Sequence, residues 1–182
     1  MKTLQTERNY PIIVLGYMGS GKSSIAKNLA EKLKLNWIDL DKEIEISENM
    51  KISNIFKFKG EIEFRKIENI ILIDVLKSSS KSVISLGGGT PCYYNNMELI
   101  NKSSKNNFYI NTSNKILSQR LYNDRMNRPI ISQIDSLNSM KEFVSKHLFE
   151  RIHFYNMANY KINSNNKNIS EISKNIIEII NQ

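Results

Sequence analysis

The run Gly16-Tyr17-Met18-Gly19-Ser20-Gly21-Lys22-Ser23 fits the pattern G-x-x-x-x-G-K-[ST], and its flanks bring a strand, a glycine turn and a helix start together. Before it, Tyr10 to Leu15 holds the apolar run Ile12, Ile13, Val14 and Leu15, which reads as a buried strand. After it, Ser24 to Leu33 places Ile25, Ala26, Leu29, Ala30 and Leu33 at helical spacing. Glycines let the backbone turn left-handed and crowd against an anion, so that successive N–H groups face one concavity at the positive end of the helix dipole. The expected ligand is a nucleoside triphosphate held by Gly19, Ser20, Gly21, Lys22, Ser23 and Ser24. Lys22 reaches the outer phosphates, and the Ser23 hydroxyl holds Mg2+. A turn that merely joined strand to helix would have no use for Lys-Ser directly after its last glycine.

The chain has 182 residues, which suits one α/β domain (1–182) with a sizeable core. Lys+Arg of 26 against Asp+Glu of 18 gives a net charge of +8, which favours anionic partners without choosing among nucleotides, metabolites and nucleic acid. The lysines are scattered, and no stretch interleaves basic with aromatic residues, so no nucleic-acid partner is expected. The single cysteine, Cys92, excludes an internal disulfide and fits a reducing compartment. Residues 1–10 lack an apolar signal core, and no apolar run approaches the roughly 20 residues that span a bilayer. A cytoplasmic protein without membrane attachment is therefore expected.

Candidate strands are Tyr10 to Leu15, Asn36 to Leu40, Ser82 to Leu86, Asn107 to Ile110 and Tyr160 to Ile162, separated by helical patterns. This alternation predicts a parallel sheet covered on both faces. The polar stretches Asn101 to Asn107 and Asn163 to Asn168 read as loops. Between Asp41 and Leu76 the chain offers short helices at Asp41 to Ser47 and Ser53 to Phe58, a break at Gly60, and a longer helix from Glu61. So much helix between two strands implies a subdomain. From Leu121 to Asp135 the apolar pattern fails around Arg125, Arg128 and Pro129, which predicts a mobile loop; Lys141 to Met157 reads as helical.

Ligands of open α/β sheets gather beyond the carboxyl ends of the strands. Beyond the second strand stand Asp39 and Asp41, spaced so that extended backbone would aim both to one side; one would assist the metal and the other accept a hydrogen bond from an alcohol. The competing reading makes Asp41 only the cap of the next helix. Beyond the third strand, Gly87-Gly88-Gly89 leaves space for a ligand to touch backbone N–H groups. Phosphate-loop enzymes often carry a metal-holding Asp at the end of such a strand; Ser85 stands there, so its help to Mg2+ would pass through water. Arg65, Arg128 and Arg151 offer planar forks suited to carboxylate or phosphate. Arg65 also has Glu61 and Glu68 at helical spacing as ordinary ion-pair partners. His147 and His153 lack metal-ligand spacing and read as structural.

In this order, Gly16 to Ser23, Asp39-Leu40-Asp41, Ile55-Phe56, Gly60-Glu61-x-Glu63-Phe64-Arg65-x-x-Glu68, Ser85 to Gly89, Arg128-Pro129 and Arg151-x-x-x-Tyr155 resemble the shikimate kinase family, over nearly the whole chain. The resemblance implies the P-loop NTPase fold, a three-layer α/β/α sandwich around a five-stranded parallel sheet of order 2-3-1-4-5. It implies a substrate-binding subdomain at 41–70, a lid at 122–135, and a monomer. The activity implied is ATP-dependent phosphorylation of the 3-hydroxyl of shikimate, on the route to chorismate and the aromatic amino acids. By the same resemblance Lys22, Asp41 and Arg128 are catalytic, and Arg128 also meets ATP. Shikimate falls to Asp41, Arg65, Gly87, Gly88, Gly89 and Arg151, and Mg2+ to Ser23 and Asp39. Phe56, Phe64 and Glu68 brace the acceptor site. Adenine falls to Asn163 to Ile169, with Arg120 or Arg125 on its other face. Kinases for gluconate or a nucleoside monophosphate share the first motif and a lid, but do not explain Asp41, Arg65, the triple glycine and Arg151 together.

Overall fold

A computed structural model describes residues 10–79, 81–128 and 130–182, so residues 1–9, Ser80 and Pro129 of the predicted lid motif lie outside the described residues. Their strands form one sheet of order β2-β3-β1-β4-β5, with β1 at Ile12–Leu15, β2 at Asn36–Asp39, β3 at Ser82–Ser85, β4 at Asn107–Asn111 and β5 at Tyr160–Asn163. Every pairing is parallel; β1 lies between β3 (Ile13 beside Ile84) and β4 (Val14 beside Phe108). Parallel pairing puts all five carboxyl ends on one edge, which is where the phosphate loop and the triple glycine emerge.

The alternation of side chains along each strand divides the core into two. Ile12, Val14, Val83, Phe108, Ile110 and Ile162 face α1 (Lys22–Leu33) and α8 (Ile169–Ile180), which bury Ile25, Leu29, Ile172 and Ile176 against them. Ile13, Leu15, Ile84, Leu86 and Tyr109 face the other layer. That layer is built from α2 (Leu40–Glu48), α3 (Ile52–Ser78), α4 (Asn96–Ser103), α5 (Asn114–Asn123), α6 (Leu137–Phe149) and α7 (Ile152–Tyr155). The result is the expected three-layer sandwich. An Asn168 and Glu171 capping box starts α8, satisfying two end groups reciprocally.

Several local expectations are corrected. The second strand ends at Asp39 and α2 begins at Leu40, so Asp41 sits in a first helical turn rather than on extended backbone. The stretch from Leu121 to Asp135, expected to be a mobile loop without apolar pattern, holds core residues: Leu121 to Asn123 complete α5, a 3-10 turn follows at Arg125–Asn127, and Leu121 and Ile131 are both buried in the core. Lys141 to Met157 is two helices, broken at Arg151. Of the polar stretch 101–107, Asn101 to Ser103 end α4 and Asn107 opens β4. Asn107 is fully buried because its amide is satisfied at both ends: Nδ2 donates to Ser104 O (2.8 Å), and Oδ1 accepts from Asn159 N (2.7 Å). The predicted break in the subdomain is present as a kink in α3, where Gly60 has φ 78° and ψ 171°.

Candidate active site at the carboxyl edge of the sheet

The phosphate loop bends through left-handed Gly19 (φ 81°) and Gly21 (φ 86°), and Gly21 is the cap residue of α1. That places Lys22 and Ser23 in the first turn, with the α1 dipole directed at the loop. A cavity of about 510 Å³ opens there, lined by Gly19, Ser20, Gly21, Lys22, Ser23 and Ser24 of the loop and also by Asp41, Arg120, Asp124 and Arg128. On its far side stand Ser164, Lys167 and Ile169, within or beside the segment expected to hold adenine. Of the two arginines considered for that role, Arg120 lines the cavity and donates from Nη1 to Gly19 O (3.1 Å). Arg125 instead donates to Tyr122 O (2.8 Å) and stacks on the Tyr122 ring. Arg128 is bonded through Nε to Asp124 Oδ2 at 2.8 Å.

The capping question at β2 has a clear answer. Asp39, not Asp41, caps α2: its Oδ1 accepts from Asp41 N (3.1 Å) and its Oδ2 from the Ser85 hydroxyl (3.1 Å). Ser85 Oγ in turn accepts from Trp37 Nε1 (3.2 Å), and Lys42 lies 4.8 Å from the Trp37 ring centroid. Asp41 is thereby left to the cavity. Burial pushes its carboxyl up to about 6, against the opposing pull of Lys22. Burial likewise lowers the Lys22 ammonium, while Asp41 and Asp39 hold it up.

Gly87, Gly88 and Gly89 each leave room for a different neighbour. A Cβ at Gly87 would stand 2.8 Å from Asp41 Oδ1 and 3.0 Å from Glu68 Oε1. At Gly88 it would meet Met18 N of the phosphate loop at 3.1 Å, and at Gly89 the Arg65 guanidinium at 2.7 Å. The glycines thus join the phosphate loop, α2 and α3 at one place. Part of the space expected for a ligand belongs to the chain's own side chains.

Arg65 is held on several sides. Nη1 donates to Glu68 Oε2 (2.7 Å), Nη2 to Glu61 Oε1 (3.2 Å), and the Tyr93 ring covers the guanidinium at 4.1 Å. Burial acts to lower its pKa, but the ion pair with Glu68 and the other partners outweigh it and raise it. Its Nε–H is buried with no partner among the described residues. Glu68 is itself 1% exposed and accepts from the Thr90 hydroxyl (2.7 Å). Phe56 and Phe64 stack at 4.4 Å beside this group. Arg151, in the break between α6 and α7, donates to His147 O at 3.1 Å and lies 3.6 Å from Glu150. Both arginines act electrostatically on Glu61, Tyr93 and Cys92, which places them around one region. Neither lines the large cavity; Asp41 is the residue that belongs to both regions.

Sequence reasoning missed Tyr93, whose cover on Arg65 has no spacing signature, and Tyr17 with its hydrogen bond to His147. Tyr155, named only within a motif, donates its buried hydroxyl to Gly88 O at 2.6 Å.

A parallel sheet of order 2-3-1-4-5 with a phosphate loop after its central strand, and with the Asp41 carboxylate and Arg128 lining the same cavity as that loop, defines a phosphate-loop kinase. The shikimate kinase family model matches residues 18–181. A shikimate kinase of Flavobacterium johnsoniae is 42% identical over 169 residues, 93% of this chain and 98% of that protein. The crystal structure of shikimate kinase from Bacteroides thetaiotaomicron superposes with a TM-score of 0.85 at 32% identity, covering 94% of this chain and 98% of that one. The Acinetobacter baumannii shikimate kinase in complex with shikimate gives 0.85 at 28% identity, covering 96% and 94%. The chain belongs to the shikimate kinase family, the ATP-dependent kinases that act on shikimate.

Proposed function

We propose that this chain phosphorylates shikimate at its 3-hydroxyl with Asp41 as the hinge between two half-sites, the phosphate-loop cavity and the arginine region behind Gly87. The observation that carries this reading is the double membership of Asp41: it lines the cavity with Lys22, Ser23 and Arg128, and its Oδ1 fills the place a Gly87 side chain would take. The substrate carboxylate docks against Arg65 and Arg151, and its ring hydroxyls meet Asp41 and the backbone of Gly87 to Gly89. Arg65 can present its buried Nε–H while Glu68 and Tyr93 keep the fork in place.

Phosphoryl transfer asks a protein mainly for alignment and charge neutralisation. Lys22 and Arg128 offset charge on the transferring oxygens, with Gly19 to Ser24 supplying N–H groups around the phosphates. Asp41 orients the attacking hydroxyl and takes its proton late, since a loose transition state requires little base catalysis before bond formation. Mg2+ suits the donors present, which are all oxygens: the Ser23 hydroxyl, and through water the Asp39 carboxylate, whose two bonds leave lone pairs free. When bound, the ion neutralises phosphate charge. Residues 41–70 form the acceptor subdomain and 122–135 the lid that keeps water from the γ-phosphate. The protein works as a cytoplasmic monomer without nucleic-acid or membrane partners; no helix among the described residues is long and apolar enough to cross a membrane.

A coupled ADP-release assay tests the reading. ADP appears with shikimate and not with gluconate or nucleoside monophosphates, and Arg65→Ala raises the shikimate KM about ten- to a hundredfold through loss of a charge-assisted contact. An unchanged KM overturns the assignment of Arg65.

A further inference from the structure

Tyr17 and His147 are 130 residues apart in sequence, yet the Tyr17 hydroxyl and His147 Nδ1 share a 2.6 Å hydrogen bond. Neither has a part in the phosphoryl transfer described above. Tyr17 occupies a variable position of the phosphate loop, only 2% exposed, and its ring meets the imidazole edge-on at 5.5 Å. His147 stands in the last turn of α6 and packs on Phe143, with ring centroids 5.1 Å apart. The main-chain carbonyl of this same histidine accepts the Nη1 bond of Arg151.

Arg151 needs such support. It lies at the break between two helices, with φ −113° and ψ −20°. Its backbone is bonded to Leu148 O on one side and accepts from Phe154 N and Tyr155 N on the other, while its side chain bonds to His147 O and pairs with Glu150. Four residues before it, His147 is tied to the phosphate loop; four residues after it, Tyr155 is tied to Gly88 O at 2.6 Å. Gly88 itself abuts Met18, the neighbour of Tyr17. The two ties close a circuit through the phosphate loop, the triple glycine and the arginine-bearing break.

We propose that Tyr17 and His147 are a positioning pair for Arg151, anchoring the end of α6 to the phosphate loop so that the arginine is held ready for the acceptor's carboxylate. This deepens the reading of Arg151 as a shikimate-binding residue and rests on it. The choice of histidine fits the surroundings. Arg151, Glu150, Glu61 and Arg65 are the charged groups acting on the imidazole, and Arg151 and Glu150 those acting on the Tyr17 hydroxyl. Burial, reinforced by Arg151, pushes His147 down to about 4, so it ties the loop down as a neutral group without adding a positive charge beside the two arginines.

Steady-state kinetics of Tyr17→Phe, His147→Leu, His147→Asn, Arg151→Ala and the double variant His147→Leu/Arg151→Ala test the pair. Tyr17→Phe and His147→Leu raise the shikimate KM about three- to tenfold, the effect of one neutral hydrogen bond, and raise it more than the ATP KM. His147→Asn restores most of the loss, because its amide places an oxygen and a nitrogen close to the position of Nδ1 and serves as acceptor or donor. In the Arg151→Ala background, loss of His147 adds nothing further. An unchanged shikimate KM in Tyr17→Phe and His147→Leu, with a raised one in Arg151→Ala, overturns the pair and leaves the acceptor site standing. An unchanged KM in Arg151→Ala overturns the acceptor-site reading itself. Equal losses for both substrates, without rescue by asparagine, reduce the pair to a structural contact and overturn the proposal; if His147→Leu does not fold, Tyr17→Phe decides it.

Discussion

Gly89 has no side chain because the Arg65 guanidinium occupies the place where one would stand: its three terminal atoms would lie 2.7, 2.8 and 2.9 Å from an added Cβ. Arg65 cannot withdraw easily, being bonded to buried Glu68 and covered by Tyr93. Gly89→Ala therefore displaces the fork, and steady-state kinetics will show a shikimate KM raised about tenfold or more, with the ATP KM changed far less. The sequence announced the glycines as space near a ligand and Arg65 as a candidate with Glu61 and Glu68 in helical reach. It could not announce that these features touch, because the contact joins α3 to the loop after β3 and depends on packing. The aspartates show the same limit. Their spacing marked both, but which one capped α2 turned on where the strand ended, a boundary that propensity places only loosely.

Gly60 divides α3 into a piece that packs Ile55 under the subdomain and a longer piece that carries Glu61, Arg65 and Glu68 toward the sheet. Its φ of 78° with ψ of 171° lies in a region open essentially only to glycine, although a Cβ there would meet nothing within 4 Å. The cost of substitution is thus conformational and not steric. Gly60→Ala destabilises the fold by about 1–3 kcal/mol, measurable as a lower denaturant midpoint with an unchanged m-value. This break was legible, since glycine between two apolar-periodic runs has few other uses. The break at Arg151 was not: no glycine or proline marks it, and the helical pattern runs on through the site. Leu121 was misplaced for the converse reason, because polar neighbours hide a residue that packs against the phosphate loop near Gly19.

At the scale of the whole molecule, the sheet order and layering were recoverable from alternation and from the family motifs, whereas the circuit tying the phosphate loop to α6 and α7 exists only once the chain has folded. That circuit has a signature in acid. The folded His147 titrates near 4, below the ordinary histidine value of 6.5, so the unfolded chain binds more protons across that interval. Stability contributed by the neutral imidazole is present above pH 6.5 and is lost as pH falls toward 4, by about 1–3 kcal/mol given that the ring is only half-buried. Asp41, whose carboxyl is pushed up to about 6 by burial, contributes with the opposite sign over part of the same interval. Denaturant titrations between pH 7 and pH 4 will therefore show the His147 contribution as the wild type losing more stability on acidification than His147→Asn, which does not titrate there.

One arrangement at the end of β2 has a practical corollary. The chain's single tryptophan, Trp37, donates its indole proton to Ser85, which in turn holds Asp39. On the proposed role of Asp39 toward Mg2+, binding of the ion with nucleotide will shift the ultraviolet emission of Trp37 through this hydrogen-bonded pair, so that a fluorescence titration without any attached dye reads occupancy, and Asp39→Asn will blunt the change.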